Sequence, residues 1–326
     1  MKIQRRTLLQ FAAANAIAPT FLRAAMAQTY PTRPITMIVP FPAGGPTDVI
    51  GRVVAERMTK SLGQPIIIEN IGGADGSIGT GRAARARADG YTVNLGLMGT
   101  HALNGALYSL QYDVLNDFTP ISPLVTIPIV LFARKTISAK DLNEMVAWLK
   151  ANPNKASAAR VTAATHLLFA SFQKETGTQF TLVPYRGTAP AMQDLVAGQI
   201  DLVFTTPEQL ALVRAGSIKA YAVTSDTRMA VAPDIPTFGE MGLPALSYSS
   251  WFGLFAPRGT PSDIIGKLNG TVVEALADGV VRSRIDDLGF EIFPREKQTP
   301  EALAALQKDA AEKWWPIIKA ANIKGE

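Results

Sequence analysis

Cysteine is absent from this 326-residue chain, and histidine occurs only twice, at His101 and His166. The lack of cysteine excludes disulfides, thiolate nucleophiles and cysteine-ligated metals. With so few histidines, a metal site would need a set of spaced carboxylates, and the sequence contains no such set. We therefore expect a protein that binds no metal and needs no cofactor.

Motifs of nucleotide binding and of serine catalysis are also missing. Neither G-x-x-x-x-G-K-[ST] nor G-x-G-x-x-G occurs in the chain. The nearest approach to the nucleophile motif G-x-S-x-G is DGSIG (residues 75–79), in which an aspartate replaces the first glycine. A Ser/His/Asp arrangement assembled from distant residues is left open, but the sequence predicts that the protein is not an enzyme.

A large excess of one charge is lacking once the first residues are set aside. The chain carries 32 Lys and Arg against 27 Asp and Glu, and four of the basic residues (Lys2, Arg5, Arg6 and Arg23) lie in the first 27 positions. No basic cluster with interleaved aromatic residues follows. The sequence therefore predicts no nucleic-acid partner.

Residues 1–27 have the pattern of an export signal. A basic start with paired arginines (MKIQRRTLLQF) leads into a short, alanine-rich apolar stretch and then into AMA at Ala25–Ala27. The apolar stretch is too short for a membrane anchor. The arginine pair resembles a twin-arginine signal, with a general secretory signal as the alternative. We expect cleavage near Ala27 and a periplasmic location.

Apolar strand-like runs alternate with helical patterns along the rest of the chain. This alternation predicts an α/β fold with parallel sheets and helices on both faces. Proline and glycine become frequent between residues 224 and 246, and we expect the chain to cross between domains near residues 132–137 and 224–249. The predicted first domain is residues 28–134 plus 250–326, and the predicted second domain is residues 135–249.

The stretch IVPFPAGGPTDVIGRVVAERM (residues 38–58) predicts a strand, a glycine turn and a helix. Thr47 is placed to cap this helix, and Gly44 and Gly45 allow a ligand to approach the backbone. The helix N-terminus carries unpaired N–H groups and partial positive charge, so the turn suits a phosphate or carboxylate. An ordinary βα turn without a ligand explains the pattern about equally well.

Several ordered stretches together resemble one family. They include YPTRPITMIVPFPAGGPTDVIGR, GGADGSIGTGRAARARADGYT, LVPYRGTAPAMQDLVAGQIDLVF and SSWFGLFAPRGTP. The set resembles the tripartite tricarboxylate transporter substrate-binding proteins, also called the Bordetella uptake gene family of periplasmic binding proteins. The resemblance implies two α/β domains of the Venus-flytrap type, with parallel or mixed sheets and a cleft between the domains that closes on a small carboxylate.

The same resemblance implies which residues line that cleft. In the first domain they are Phe41, Ala43, Gly44, Pro46, Thr47, Asp48, Gly99, Thr100 and His101. Since the Asp48 carboxylate would repel a bound carboxylate, we expect it instead to cap the helix and favour its dipole. In the second domain they are Thr162, Ala164, Thr165, His166, Tyr185 and Thr205, with Arg186 as a further wall residue.

Two departures from the family pattern affect the expected ligand. The turn before His166 is shorter than usual, lacks glycine and gains Arg160, which either pairs with a second carboxylate or is an exposed arginine. Thr205 stands where many members have an aspartate that can receive an amine. Its presence argues mildly against an amino-acid ligand.

The expected function is capture of a di-, tricarboxylate or related acid for a tripartite membrane permease, by a monomeric protein. A ligand sensor that feeds a signalling receptor is the first alternative. Binding of an aromatic carboxylate is the second, with Phe41, Phe204 and Trp251 as candidate stacking surfaces, although core packing is the preferred role for Phe204 and Trp251.

Overall fold

The computed structural model describes residues 30–185, 187–320 and 322–324, so the predicted export segment and Arg186 lie outside the described residues. The strands are β1 (Ile35–Val39), β2 (Ile66–Asn70), β3 (Thr92–Leu97), β4 (Phe118–Pro128), β5 (Val130–Arg134), β6 (Ser157–Arg160), β7 (Thr181–Pro184), β8 (Leu202–Thr205), β9 (Ile218–Val223), β10 (Ser249–Pro257) and β11 (Glu291–Ile292). The α-helices are α1 (Pro46–Leu62), α2 (Ser77–Ala84), α3 (Asn104–Leu107), α4 (Leu142–Ala151), α5 (Ala163–Thr176), α6 (Thr188–Ala197), α7 (Leu210–Arg214), α8 (Ser262–Ala277), α9 (Gly279–Asp287) and α10 (Pro300–Ala320), and a π-helical turn (Gly99–Leu103) leads into α3.

These strands form two mixed sheets. The first has the order β11-β4-β10-β3-β1-β2, and the second has the order β7-β6-β8-β5-β9. Parallel pairing is confined to β1 with β2 and β3, and to β6 with β7 and β8, while the other pairs are antiparallel. The predicted α/β class is confirmed, and the sheets are mixed because β10 and β11 in the first sheet and β5 in the second run opposite to their neighbours.

The first crossing between the sheets lies earlier than the sequence suggests. The strand Val130–Arg134 pairs with β8 and β9 in the second sheet. The predicted boundary at residue 134 would have placed this strand with the first domain. Its first four residues are apolar and buried, and a buried apolar strand of this kind fits either sheet equally well. Only Ile129 separates it from β4 of the first sheet.

The carboxyl ends of the two sheets meet where the chain crosses. β4 runs in the direction of β3, because both strands are antiparallel to β10. Ser249 pairs with Pro128 at this end of the first sheet. In the second sheet Val130 pairs with both Thr205 and Val223, the last residues of β8 and β9. The loops that follow β1, β2 and β3 therefore lie on the same side of the crossing as those that follow β6, β7 and β8.

Thr224 connects the two crossings. Its amide donates to the Ile129 carbonyl at 2.9 Å, and its hydroxyl accepts from the Ile129 amide at 3.0 Å. Its carbonyl accepts from the Tyr248 amide at 2.9 Å. The side chain is fully buried. One residue thus joins both passages of the chain between the sheets, which is the place where a relative motion of the domains would be hinged.

Apolar residues pack on both faces of both sheets. One cluster is continuous between the sheets and includes Phe118 and Phe255 from the first and Phe172 and Phe204 from the second domain. A second cluster packs α1, α8 and α9 on the outer face of the first sheet, and a third packs α6 and α7 on the second sheet. Within the described part of the chain, none of the helices combines the length and the apolar character that crossing a membrane requires.

Candidate ligand-binding cleft

The first loop (residues 40–45) delivers the N-terminus of α1 to the carboxyl end of the first sheet. Gly45 is the N-cap residue, with φ −81° and ψ 169°, and Pro46 is the first helical residue. Proline has no N–H, so the unshared amides of the first turn belong to Thr47 and Asp48. These amides and the helix dipole suit a carboxylate. The prediction that Thr47 caps the helix is wrong, because the helix begins before it and no side chain makes the cap bond.

Asp48 holds the first loop in shape. Its Oδ2 accepts from the Gly44 amide and from Arg52 Nε, both at 2.9 Å, and its Oδ1 accepts from Asn70 Nδ2 at 2.9 Å. Burial alone would raise the pKa of Asp48, but the bonds from Arg52, Gly44 and Asn70 outweigh it and lower the pKa to about 2. The side chain makes none of the cap bonds expected of it, and its carboxylate consumes the Gly44 amide instead of leaving it for a ligand.

The remaining residues of this loop are accessible. Ala43 and Gly44 are exposed, and Phe41 and Pro46 are half-buried. Asn70 Nδ2 also donates to the Phe41 carbonyl at 3.1 Å, which fixes the loop to the end of β2. A ligand in the cleft can therefore reach the loop backbone and the Phe41 ring.

Three consecutive loops of the first domain pack directly on one another. A methyl group added at Gly76, in the second loop (residues 71–76), would lie 2.6 Å from Cγ2 of Thr100 and 3.2 Å from the Phe41 ring. One added at Gly72 would lie 3.2 Å from Cδ of Pro42. Close approach therefore requires glycine at position 76 and makes position 72 tight, and the loops form one continuous wall.

The third loop (residues 98–101) contributes less surface than predicted. Gly99 is half-buried and can line the cleft, but Thr100 and His101 are fully buried. The Thr100 hydroxyl accepts from the Leu97 amide at 3.0 Å and pairs with His101 Nδ1 at 2.9 Å. The predicted contacts of Thr100 and His101 with a ligand are therefore corrected, because the π-helical turn directs both side chains into the core.

His101 is a polar side chain buried among aromatic residues of the core. Its ring stacks on Phe255 with centroids 4.0 Å apart and tilts against Phe118 at 4.5 Å. Burial lowers the pKa of His101 to about 3, so the ring is neutral at physiological pH. Its carbonyl accepts from Gln307 Nε2 at 2.9 Å, which ties the turn to α10.

The second domain presents the N-terminus of α5. Thr162 is the N-cap residue, and it forms a capping box with Thr165. The Thr165 amide donates to Thr162 Oγ1 at 3.2 Å, and Thr165 Oγ1 accepts from the Thr162 amide at 2.9 Å. Thr162 is exposed, Ala164 and His166 are half-buried, and Thr165 is buried. Of this predicted set, Thr162, Ala164 and His166 have surface for a ligand, whereas the Thr165 hydroxyl is occupied by the cap.

Two further predicted residues lie at the carboxyl ends of β7 and β8. Tyr185 is half-buried, and its hydroxyl donates to Asp194 on α6 at 2.6 Å. Burial, and then the bond to Asp194, raise the pKa of Tyr185 to about 12. Thr205 ends β8 and is buried. Arg160 ends β6 and is half-buried, and its carbonyl accepts from the Tyr185 amide at 2.9 Å; its pairing with a second carboxylate stays a prediction.

The aromatic candidates divide between the cleft and the core. Phe204 and Trp251 are buried, and Phe204 packs against Phe169 with centroids 4.6 Å apart. Their preferred role in core packing is therefore correct. Phe41 alone of the three has surface beside the first loop.

The sequence does not single out the residues that shape the first-domain wall. Asn70 and Arg52 complete the Asp48 network, and Asn104 Nδ2 donates to the Asp75 carbonyl and to Ser77 Oγ, both at 3.0 Å. An asparagine that ends a strand of isoleucines, as Asn70 does, is the one local signal that marks such a residue. Asn104 has no comparable signal, because its partners lie 27 and 29 positions away.

A metal or catalytic centre is not what these groups form. Among residues 30–324, apart from the gaps at 186 and 321, no three histidine, aspartate or glutamate side chains lie together in a way that could hold a metal. Both sheets instead direct backbone amides and small side chains to the place where the chain crosses. Ligands bind at this location in open α/β sheets. The fold and the site together are those of a two-domain binding protein.

Comparison with known proteins identifies the family. The model described as "Tripartite tricarboxylate transporter family receptor" matches residues 50–323. Protein BugT of Bordetella pertussis is 35% identical over 303 residues, covering 91% of this chain and 92% of that protein. The chain belongs to this family of periplasmic solute-binding proteins, as the resemblance implied. The prediction that it is not an enzyme is confirmed, since the family consists of binding proteins.

Solved structures agree with this assignment. MatC from Rhodopseudomonas palustris, determined with bound malate, has a TM-score of 0.78 and 38% identity, covering 89% of this chain and 100% of that one. A second R. palustris protein, determined with adipate, has a TM-score of 0.80 and 32% identity, covering 90% of this chain and 99% of that one. The two-domain periplasmic binding-protein fold is therefore confirmed.

Proposed function

We propose that this protein captures a small organic carboxylate in the periplasm and passes it to the membrane permease of a tripartite tricarboxylate-type transporter. The observation that carries the proposal is the N-terminus of α1, where the amides of Thr47 and Asp48 face a glycine-rich loop at the carboxyl end of the sheet. The similarity to proteins determined with malate and adipate supports a carboxylate.

The proposed mechanism is closure of two domains around the ligand. Of the described residues, we assign 30–128 and 249–324, apart from the gap at 321, to the first domain and 130–248, apart from the gap at 186, to the second, which adjusts the sequence-based boundaries to the sheet pairing. The first domain fixes a carboxylate on the first loop and α1. The second domain, with Thr162, Ala164, His166 and Tyr185, closes on the distal end. A ligand that touches both domains stabilises the closed form.

The proposed location and partner follow from the same assignment. The protein is exported by the residues 1–27 signal, cleaved near Ala27, and acts as a monomer. A sensor that presents its ligand to a receptor would use the same closed form. Co-purification of the permease subunits, rather than a receptor ectodomain, only in the presence of ligand distinguishes the two partners.

The test is ligand-dependent stability of the exported protein. The protein is purified after secretion, and mass spectrometry of its N-terminus checks cleavage near Ala27. Its melting temperature is then measured with mono-, di- and tricarboxylates, aromatic acids and the corresponding amides. A ligand at 100 times its dissociation constant stabilises the fold by about 2.7 kcal/mol. We expect a shift with one class of carboxylate and none with its amide; no shift with any acid would refute the proposal.

A further inference from the structure

The second loop contains an unusual run of backbone conformations. Four consecutive residues have positive φ: Gly73 at 117°, Ala74 at 47°, Asp75 at 49° and Gly76 at 83°. Glycine adopts such angles freely, but a Cβ atom makes them unfavourable for alanine and aspartate. Residues held in sparsely populated conformations concentrate at ligand-binding sites, where the surrounding structure maintains them.

The buried side chain of Asn104 holds the backbone of this run in place. Asn104 Nδ2 donates to the Asp75 carbonyl at 3.0 Å and to Ser77 Oγ at 3.0 Å. Asn104 is itself fully buried. Asp75 therefore has a fixed main chain, which limits where its side chain can go.

In the part of the chain that the structure describes, the Asp75 carboxylate has no donor to pair with. Aspartate usually tolerates a left-handed conformation because its side chain makes a local hydrogen bond. Within residues 30–185 and 187–320, no side chain or amide donates to either carboxylate oxygen of Asp75. The side chain is half-buried, and burial raises the pKa of Asp75. Its oxygens are not among the fully buried polar atoms, so water can reach them, and a donor on a ligand would replace that water with a charge-assisted hydrogen bond.

The position of Asp75 places it beside the cleft. Its neighbour Gly76 packs between the Phe41 ring of the first loop and Thr100 of the third. Burial raises the pKa of Tyr248, just before β10; a bond with Ser250 opposes this, and the charge of Asp75 adds to it. Tyr248 is one of the residues through which the chain crosses between the sheets. Asp75 thus belongs to the wall that the three first-domain loops form.

We infer that Asp75 selects carboxylates that carry a hydrogen-bond donor, a hydroxyl or an ammonium group, next to the carboxylate that the first loop holds. The inference rests on the proposed function and names the substrate class for the same site. A ligand with such a donor satisfies the Asp75 oxygens. A ligand without one brings the same negative carboxylate close to Asp75 but makes no bond to it, so it binds more weakly.

A role in helix electrostatics is the competing explanation. Asp75 precedes Gly76, the N-cap residue of α2, and a negative charge there interacts favourably with the helix dipole. That role predicts a change of stability when Asp75 is replaced, but no change in the ranking of ligands. The ranking is therefore the decisive quantity.

The experiment compares acids that differ only in the donor group. The pairs are malate and succinate, citrate and tricarballylate, and lactate and propionate, with aspartate against succinate to distinguish an ammonium from a hydroxyl. Dissociation constants are measured by calorimetry for the native protein, Asp75→Gly and Ala74→Gly. Ala74→Gly is the matched control, because it relieves the backbone strain at the adjacent position and keeps the carboxylate.

We expect the donor-bearing member of the pair that binds to be preferred at least about tenfold by the native protein and by Ala74→Gly, as for a hydrogen bond to a charged group. Asp75→Gly should fold and should reduce that preference to less than about threefold. Equal affinities within every pair, or a preference unchanged in Asp75→Gly, would overturn the inference while leaving carboxylate binding intact. Failure of every acid to bind would overturn the proposed function and this inference together.

Discussion

The loops of the two domains are held in different ways. In the first domain the bonds join distant positions, such as Asp48 to Asn70 and Asn104 to Asp75, which are 22 and 29 residues apart. In the second domain the side-chain bonds of the predicted cleft residues are local. Thr162 and Thr165 cap each other within one turn, and Tyr185 reaches Asp194 only nine residues away.

This difference has a consequence for tolerance to change. The first-domain wall is one interlocked unit, so a substitution in any of its three loops should disturb the others. Each second-domain loop depends mainly on its own helix. We therefore expect substitutions in the second domain to alter the cleft one loop at a time, and those in the first domain to cost more stability.

The largest expected effect is at Gly79, on the first turn of α2. An added methyl group would overlap the Ile71 carbonyl oxygen and lie 3.1 Å from Cα of Pro40. Since both neighbours are backbone, Gly79→Ala should lower the free energy of unfolding by about 3 kcal/mol. The same change at Gly187, before α6, meets nothing within 4 Å at φ 169° and should change stability by less than about 1 kcal/mol. Chemical denaturation measures both variants. Equal losses in the free energy of unfolding would contradict the proposed difference between the two domains.

The Asp48 network should be the next most sensitive feature. Because the pKa of Asp48 is lowered from 3.8 to about 2, its ionised form stabilises the fold above pH 4, and this contribution is lost as the pH falls from about 4 to 2. Asp48→Ala should cost about 2 kcal/mol at pH 7, a value that allows for screening at the half-exposed Arg52.

Asp194→Ala is the matched change in the second domain. It removes the acceptor of the Tyr185 hydroxyl and should cost about 1 kcal/mol. Urea denaturation at pH 7 measures both variants. A loss at Asp194 equal to or larger than that at Asp48 would contradict the view that the first-domain loops are more strongly interdependent.

His101 should make stability depend on pH. Its folded pKa of about 3 lies below the ordinary value of 6.5, so acid favours the unfolded chain. The stability is complete above about pH 6.5 and falls as the pH decreases, by about 2 kcal/mol between pH 7 and pH 5. His101→Gln should flatten this dependence, measured by denaturation at several pH values. His166→Gln, in the second domain, should retain the pH dependence. If His166→Gln flattened it and His101→Gln did not, the titrating group would lie in the second domain and the prediction would be refuted.

The smallest expected effect is at the α5 cap. Thr162→Ala removes the N-cap hydroxyl and should cost about 1 kcal/mol, with little change elsewhere because the bond is local. Hydrogen exchange should show the loss of protection confined to the first turn of α5. Loss of protection in the first-domain loops would show that the two walls are coupled in the free protein.

Local pattern was enough for the α/β class and for the βα unit that begins with Ile35–Val39. It also located the glycine turn, because proline and glycine interrupt helices and strands wherever they occur. The sheet membership of Val130–Arg134 was not predictable. A buried apolar strand carries no sign of which sheet it will join.

The candidate site shows the same division between what local sequence predicts and what tertiary contacts decide. The order of motifs was enough to indicate the family of binding proteins to which the chain belongs, while export and a carboxylate ligand stay predictions. Tertiary structure decided which groups remain for a ligand. It turned His101 and Thr100 into the core, used the Gly44 amide for Asp48, and gave the Asp75 carboxylate no donor among the described residues. The physical reason is that hydrogen bonds and close packing between residues far apart in the chain determine which polar groups stay free, and no local pattern records those contacts.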